Sequence, residues 1–371
     1  MNSLKKNAAI RFLLELLFMT MIYAMLDNIG GIKKYALILF FCAVFMLIGF
    51  RKKWSADVLF CVSLPVFTYV MLGCFSALIS TSTQITTVKV ILYVLVPLIF
   101  AFAMYVFYGE QMSHIADVNF FASVLAYAIF DAPYFAKIFQ WESIYAFVFG
   151  IFVIYYAYQK RWILCGIAAC FVYFAEKRIA ILAVAVTLVL MGILWFFEKN
   201  KKLAGVLWGT VIFAIYTYIY LIHSGIMEAV CWGANINTNG RVEMYGKMAS
   251  EAEFSLGYLG RGIGIVEQLL EYYNVSTYVN LHNDLLKFYI ELGFMGMFFY
   301  LLSYGVMFFL INNRFGKSQM SYFFAISAYT VMLFATDNTS IYMIYLIPMY
   351  VTMFTVLASE GTKKEQICLK S

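Results

Sequence analysis

Residues 179–197 read IAILAVAVTLVLMGILWFF, nineteen consecutive positions without a charge, between Lys177-Arg178 on one side and Glu198-Lys199 on the other. At about 1.5 Å of rise per residue, a helix of this length spans the ~30 Å hydrocarbon layer of a bilayer. It has no polar face to offer water. Working outward, comparable apolar stretches fall at 8–26, 34–50, 56–79, 88–108, 117–135, 143–158, 162–175, 203–222, 284–311, 321–336 and 340–358. The stretch 162–175 is short and 117–135 is interrupted by polar residues, so the count reads as eleven or twelve. Composition agrees: 64% of the 371 residues are apolar and 12% are charged, against about 45–50% and about 25% in an ordinary soluble domain. Soluble, disordered and disulfide-stapled classes are excluded. The expectation is an all-α polytopic membrane protein of about 12 transmembrane helices, with one long extracytoplasmic loop containing short amphipathic helices. One integrated membrane domain is expected, in three parts: N-terminal spans (1–222), the loop (223–283), and C-terminal spans with a cytoplasmic tail (284–371).

An even span count puts both ends on one side. With the N-terminus cytoplasmic, that face collects Lys5, Lys6, Arg11, Arg51, Lys52, Lys53, Lys160, Arg161, Lys199, Lys201, Lys202, Arg314, Lys317, Lys363, Lys364 and Lys370, which is 16 of the 26 basic residues. The clusters sit where the positive-inside rule places them. The net charge of +6 is therefore a topology signal, and a nucleic-acid partner is not expected. Arg11 and Glu15 lie within the first apolar run at ion-pair spacing, with no small-residue cleavage site after them, so this segment is expected to be retained. Of seven cysteines, Cys42, Cys61, Cys74, Cys165 and Cys170 fall in or beside spans, Cys368 is in the tail, and Cys231 alone is in the long loop. No disulfide framework or metal-ligand spacing can be built from them.

The outward basic residues work against insertion bias and are more informative. Snorkelling accounts for Lys33, Lys34, Lys89 and Lys137 near span ends. Lys177 and Arg178 occupy a very short outward turn, and an ionised Arg at bilayer depth costs ~2.5–3.5 kcal/mol on insertion scales. Two readings stand: Glu176 neutralises it, or the turn is a cationic site facing an anion. The loop itself is acidic, with Glu228, Glu243, Glu251, Glu253, Glu267 and Glu271 against Arg241, Lys247 and Arg261. Helical stripes run through 241–254 (Val242, Tyr245, Met248, Ala249, Ala252) and 265–273 (Ile265, Leu269, Leu270, Tyr273), read as amphipathic helices on the membrane domain. Between them, residues 257–264 form a glycine-rich turn whose N–H groups could approach an anion.

The loop closes on Leu281-His282-Asn283-Asp284. Asn283 or Asp284 reads as an N-cap, which puts His282 at the mouth of a transmembrane helix. The helix dipole there disfavours imidazolium, and a neutral ring can accept a proton from a hydroxyl nucleophile. An ordinary capping or headgroup contact is the alternative. Lys287 and Glu291 are one turn apart and are expected to neutralise each other. Gly293 and Gly296 are expected to permit a close helix crossing. His114 in a cytoplasmic turn, His223 at a span end, and Asp131, Asp337 and Asn338 at outward span ends carry no further assignment.

Taken together, the span pattern, the outward turn with Arg178, Gly240-Arg241 with Tyr245 four residues on, Gly260-Arg261-Gly262-Ile263-Gly264, and His282-Asn283 followed by Glu291, Gly293 and Gly296 resemble the O-antigen ligase and O-antigen polymerase superfamily of bacterial membrane glycosyltransferases. The resemblance is specific over about 170–300. It departs at Tyr245, where the family commonly has Trp, and at Lys177, where it often has Ser. The resemblance implies a metal-independent enzyme without cofactors at the bacterial cytoplasmic membrane. Its donor would be an undecaprenyl-diphosphate-linked oligosaccharide. His282 matches the family's proposed base, and Arg178 and Arg241 match the arginines that hold the diphosphate. Lys177, Arg261, Gly260, Gly262, Tyr245, Asn283 and Glu291 are expected to contact substrate. The expected activity is an inverting transfer by a surface-polysaccharide polymerase at the outer face. Candidate partners are membrane lipid, a chain-length regulator and a repeat-unit flippase. Hydropathy does not separate polymerase from ligase; the polymerase reading follows only from that branch being the more widespread. A flippase or transporter is the alternative of a different class, disfavoured because the unusual charges gather at one face and no repeat is evident.

Overall fold

The structure, a computed structural model, describes residues 2–28, 32–49, 54–79, 84–133, 142–197, 202–236, 238, 240–273 and 281–368. Arg51, Lys52, Lys53, Lys137, Lys199, Lys201 and Lys370 lie outside the described residues. Every regular element among the described residues is helical, and a helix runs through each of the twelve apolar stretches. Six helical runs are long and apolar enough to cross a membrane: Asn7–Leu26, Ala56–Ile79, Thr86–Asp131, Arg178–Phe196, Leu203–His223 and Asp284–Arg314. Tyr145–Tyr158, Trp162–Phe174 and Met343–Ala358 are apolar but shorter. The molecule is an all-helical polytopic membrane protein.

The chain divides into two compact units, the first made of Met1–Val62, Val96–Leu190 and Tyr342–Ser371, the second of Ser63–Leu95 and Met191–Ile341. The helices are α1 (Asn2–Asn28), α2 (Ile32–Gly49), α3 (Ala56–Ile79), α4 (Gln84–Tyr108), α5 (Met112–Ala126), α6 (Tyr145–Tyr158), α7 (Trp162–Phe174), α8 (Arg178–Phe196), α9 (Leu203–His223), α10 (Ile226–Gly233), α11 (Arg241–Ala249), α12 (Ile265–Tyr272), α13 (Asp284–Arg314), α14 (Lys317–Phe334) and α15 (Met343–Cys368).

In the first unit the centre is α6, buried from Tyr145 to Ala157. A helix apolar on every face belongs inside a core, and α5, α7 and α15 pack against it. Lys160 ends α6 in the left-handed region at φ +58. Lys160 N–H reaches Ala157 O and Arg161 N–H reaches Tyr156 O, at 3.1 and 2.9 Å, the paired bonds of a Schellman end. Asp117 holds Arg161 at 2.7 Å and accepts from Tyr156 Oη at 3.1 Å. The expected Arg11–Glu15 pair is present at 2.9 Å. His114 is not in a turn but on α5, with Nε2 2.6 Å from Glu15.

In the second unit, α13 is the organising helix, with α9, α11, α12 and α14 packed on it. Trp208 of α9 is buried and donates to Leu301 O at 2.8 Å. Gly293 breaks α13 with φ 76 and ψ 180. A break at this depth frees backbone groups that hydrocarbon cannot satisfy. The segment 258–264 satisfies them: Phe294 N–H donates to Tyr258 O (2.9 Å), Arg261 N–H to Ile290 O (2.9 Å) and Gly262 N–H to Glu291 O (3.0 Å). Tyr216 Oη caps Phe294 O at 2.6 Å.

Candidate functional site

The sequence around 281–284 folds as a helix entry. Asn283 is the N-cap: its Oδ1 accepts from Leu286 N–H at 3.0 Å, while its Nδ2 donates to Tyr218 Oη at 2.9 Å. Asp284 follows as the first helical residue, fully buried, accepting from Ser340 N–H (2.8 Å) and Ser340 Oγ (2.7 Å). These bonds fix the start of α13 to the turn 337–340. His282, just outside the cap, takes φ +54, a left-handed conformation that a residue with a Cβ adopts at a cost of ~1–2 kcal/mol. Its carbonyl accepts from Tyr245 Oη at 2.8 Å, which ties α11 to the same point.

The histidine side chain is 25% exposed, and its Nδ1 lies 3.4 Å from Oδ1 of the buried Asp337. That separation is longer than a hydrogen bond, and Nδ1 has no hydrogen-bond partner among the described residues. Catalytic hydrogen bonds are often long without substrate and tighten when it binds. A carboxylate drawn within hydrogen-bond distance on the Nδ1 side would hold the ring orientation and leave Nε2 as the proton acceptor. Asp337 accepts Asn338 N–H at 2.8 Å. Asn338 Nδ2 and Thr339 Oγ1, next in the same turn, are buried without a hydrogen-bond partner among the described residues. Buried polar atoms are normally paired, so this turn keeps polar capacity unused beside Asp337.

Arg241 opens α11 after Gly240, whose φ of 75 turns the chain into the helix. It is half-buried and makes no ion pair among the described residues. Tyr245, one turn on, is buried; burial pushes its phenol above the ordinary range, with Tyr218 adding, Arg241 opposing and Asp337 adding. Tyr245 Oη donates to the His282 carbonyl and Tyr218 Oη accepts from the Asn283 amide, so both phenols meet the entry to α13. The predicted stripe on α11 is buried at Val242, Tyr245, Met248 and Ala249. On α12, Ile265, Leu269 and Leu270 are buried, while Tyr273 stays exposed.

Lys177 and Arg178 belong to the first unit. Glu176 ends the preceding turn at φ +50, and Arg178 is the exposed first residue of α8. No ion pair joins Arg178 to Glu176, so the neutralising partner considered for it is not engaged. Lys177 Nζ lies 4.5 Å from the centroid of the Phe147 ring.

Five expectations meet a different local arrangement in the structure. Lys287 does not pair with Glu291: its Nζ contacts Glu267 at 2.5 Å. Glu291 is fully buried and accepts from Tyr69 Oη at 2.6 Å and Gly264 N–H at 2.8 Å, so it props the loop from within. The glycine-rich turn spends the amides of Arg261 and Gly262 on α13 and that of Gly264 on the Glu291 side chain, so the turn docks backbone on backbone. Arg261 is bound to Glu251 at 2.5 Å. The Glu251 carboxyl is held below its usual range by Tyr273 and then by Arg261. Finally, Gly293 accommodates a loop rather than a crossing helix, and the atom nearest to a Cβ on Gly296 would be Leu292 of its own helix.

Sequence reading missed Asp337 because it lies far along the chain from His282. The signal available was the run Asp337-Asn338-Thr339-Ser340, four polar residues between two apolar helices, all of them buried. No curated protein matches the chain. Residues 163–301, which contain Arg178, Arg241 and His282 but stop short of Asp337, match the family model described as O-antigen ligase, and that match supports the resemblance to the O-antigen ligase and polymerase superfamily.

Proposed function

We propose that the protein is a glycosyltransferase of the outer membrane face that polymerises a bacterial surface polysaccharide. It takes glycan from an undecaprenyl-diphosphate-linked donor and passes it to a sugar hydroxyl of a lipid-linked repeat unit. The observation that carries the reading is His282 at the mouth of α13 with Asp337 on its Nδ1 side. In the proposed step the acceptor oxygen attacks the anomeric carbon while His282 Nε2 takes its proton. The bond from that carbon to the diphosphate oxygen breaks on the opposite face, so configuration inverts and undecaprenyl diphosphate leaves. Asp337 stabilises the imidazolium that forms. Arg241 and Arg178 are assigned to the diphosphate: guanidinium forks bind phosphate oxygens bidentately and offset the charge that develops on departure. No metal is assigned a part.

The reading takes each of the twelve apolar helices as a span, with both termini cytoplasmic, and takes 223–283 as the extracytoplasmic loop joining the spans of 1–222 to those of 284–371. A repeat-unit flippase would supply substrate, and a chain-length regulator is a candidate partner. The description of the matching family as O-antigen ligase favours a second reading, in which the same residues move finished glycan to a different acceptor. A deletion strain separates the two on a polysaccharide gel: single repeat units indicate a lost polymerase, and missing surface glycan with accumulated lipid-linked polymer a lost ligase. The chemistry is tested with purified enzyme and lipid-linked donor. His282→Ala is expected to lower turnover by ~10²–10⁴, the usual worth of a general base. Full turnover in that variant would dismiss the base.

A further inference from the structure

A cavity of about 330 Å³ opens where the chain leaves α10 and enters α11. Gly240 and Val242, the neighbours of Arg241 on either side, both line it, together with Trp232, Asn235, Thr238 and Glu243. We infer that this cavity is the subsite for the sugar ring attached directly to the donor's diphosphate, an inference that rests on the role proposed above for Arg241.

The lining matches the chemistry of a pyranose. One face of such a ring is a patch of C–H bonds, and its rim is a set of hydroxyls that both donate and accept. Trp232 is 68% exposed, so its indole face is open to the cavity's contents. A broad, electron-rich ring of this kind packs on polarised C–H groups. Around it, the Asn235 amide donates and accepts, the Thr238 hydroxyl does both, and the Glu243 carboxylate accepts from two hydroxyls at once. A volume near the lower end of the ~300–1,000 Å³ common in ligand sites fits a ring or two rather than a long chain. The Glu243 carboxylate argues against a bare phosphate here, and three polar side chains argue against an acyl tail. Position supplies the remaining constraint. In the donor, the first sugar is attached directly to the diphosphate, so a diphosphate held by Arg241 keeps that sugar within a ring's reach of the arginine whose chain neighbours Gly240 and Val242 line the cavity. Gly240 helps make the room: at φ +75 it turns the chain without a side chain projecting into the space.

The test uses the full-length protein in detergent and two probes: the lipid-linked repeat unit extracted from source cells lacking this protein, and undecaprenyl diphosphate bearing no sugar. Trp232 is exposed, so its removal leaves the core intact, and thermal denaturation checks this. Trp232→Ala is expected to weaken binding of the sugar-bearing lipid by about tenfold, the worth of one well-placed ring contact, with undecaprenyl diphosphate binding unchanged. Glu243→Gln is expected to act in the same direction. Unchanged binding of the sugar-bearing lipid in both variants overturns the subsite. Equal weakening of both probes in Trp232→Ala also overturns it, because the indole would then be a membrane anchor. Arg241→Ala is expected to weaken both probes. If it weakens neither while Trp232→Ala is selective for the sugar-bearing lipid, the subsite stands and the diphosphate role of Arg241 falls.

Discussion

At the scale of single residues, the proposed chemistry rests on a histidine held in an unfavourable conformation. His282 keeps φ +54 because three attachments over-determine it: the Asn283 cap, the bond from Tyr245 to its carbonyl, and the Asp284–Ser340 pair one residue beyond the cap. Strain of this kind persists where the surroundings enforce it, and it collects at functional sites. If Asp337 acts only through the imidazole, the two residues are one unit and their losses do not add. Asp337→Asn should lower turnover by at least ~10-fold, and the double variant with His282→Ala should be no slower than His282→Ala alone. Independent, multiplying losses in a full kinetic cycle would dissolve the pair. His282 was legible in the sequence because a capping residue follows it and only three histidines occur. Asp337 was not, because nothing local in a sequence pairs two turns separated by the whole of α13 and α14.

Among the elements, the lock between the glycine-rich segment and the break in α13 illustrates how glycine is misread. A glycine at positive φ signals only that something comes close; the sequence does not say what. Here it is backbone: a Cβ on Gly260 would stand 2.5 Å from Glu291 O, and one on Gly293 would stand 2.3 Å from Tyr258 O. The segment expected to cradle an anion cradles a helix instead, and the anion its amide does hold is the Glu291 side chain. Gly260→Ala and Gly293→Ala should each unlock the loop. The positive φ alone costs ~1–2 kcal/mol, and the overlap with backbone adds to it. Gly296→Ala should be close to neutral, since its neighbour is the Leu292 side chain at 3.1 Å and the gain in helix propensity is ~1 kcal/mol. Thermal denaturation in detergent, run on all three, checks the contrast. Equal stability across the set would mean that the break in α13 is not held by this contact. The helices themselves were far easier to foresee than their partners, because a 3.6-residue stripe reports which face is buried and not what it is buried against.

For the molecule as a whole, scarcity of charge identified the membrane, and the disposition of the few charges carries the functional argument. Two of the cations in and beside the long loop are neutralised once folded: Lys287 by Glu267, where Glu291 was expected, and Arg261 by Glu251. Arg178 and Arg241 make no such pair among the described residues. In the proposed reading each of them meets an anion, and an undecaprenyl-diphosphate-linked glycan of the outer leaflet is that anion only if 223–283 is outside. Cys231 tests this directly, because it lies in that segment, is not fully buried, and lines the cavity beside Arg241. In a variant keeping Cys231 as its sole cysteine, a membrane-impermeant maleimide should label intact spheroplasts. A companion with its sole cysteine at Arg314→Cys should label only after permeabilisation, because in the proposed topology α13 would carry the chain from the His282 turn outside to Arg314 inside. The reverse pattern would place His282 and Arg241 in the cytoplasm, where cytoplasmic clusters of Lys and Arg would be facing the wrong way. Both the topology and the proposed donor would then fall together, since the orientation of the loop is what makes the unpaired arginines an asset rather than an insertion penalty.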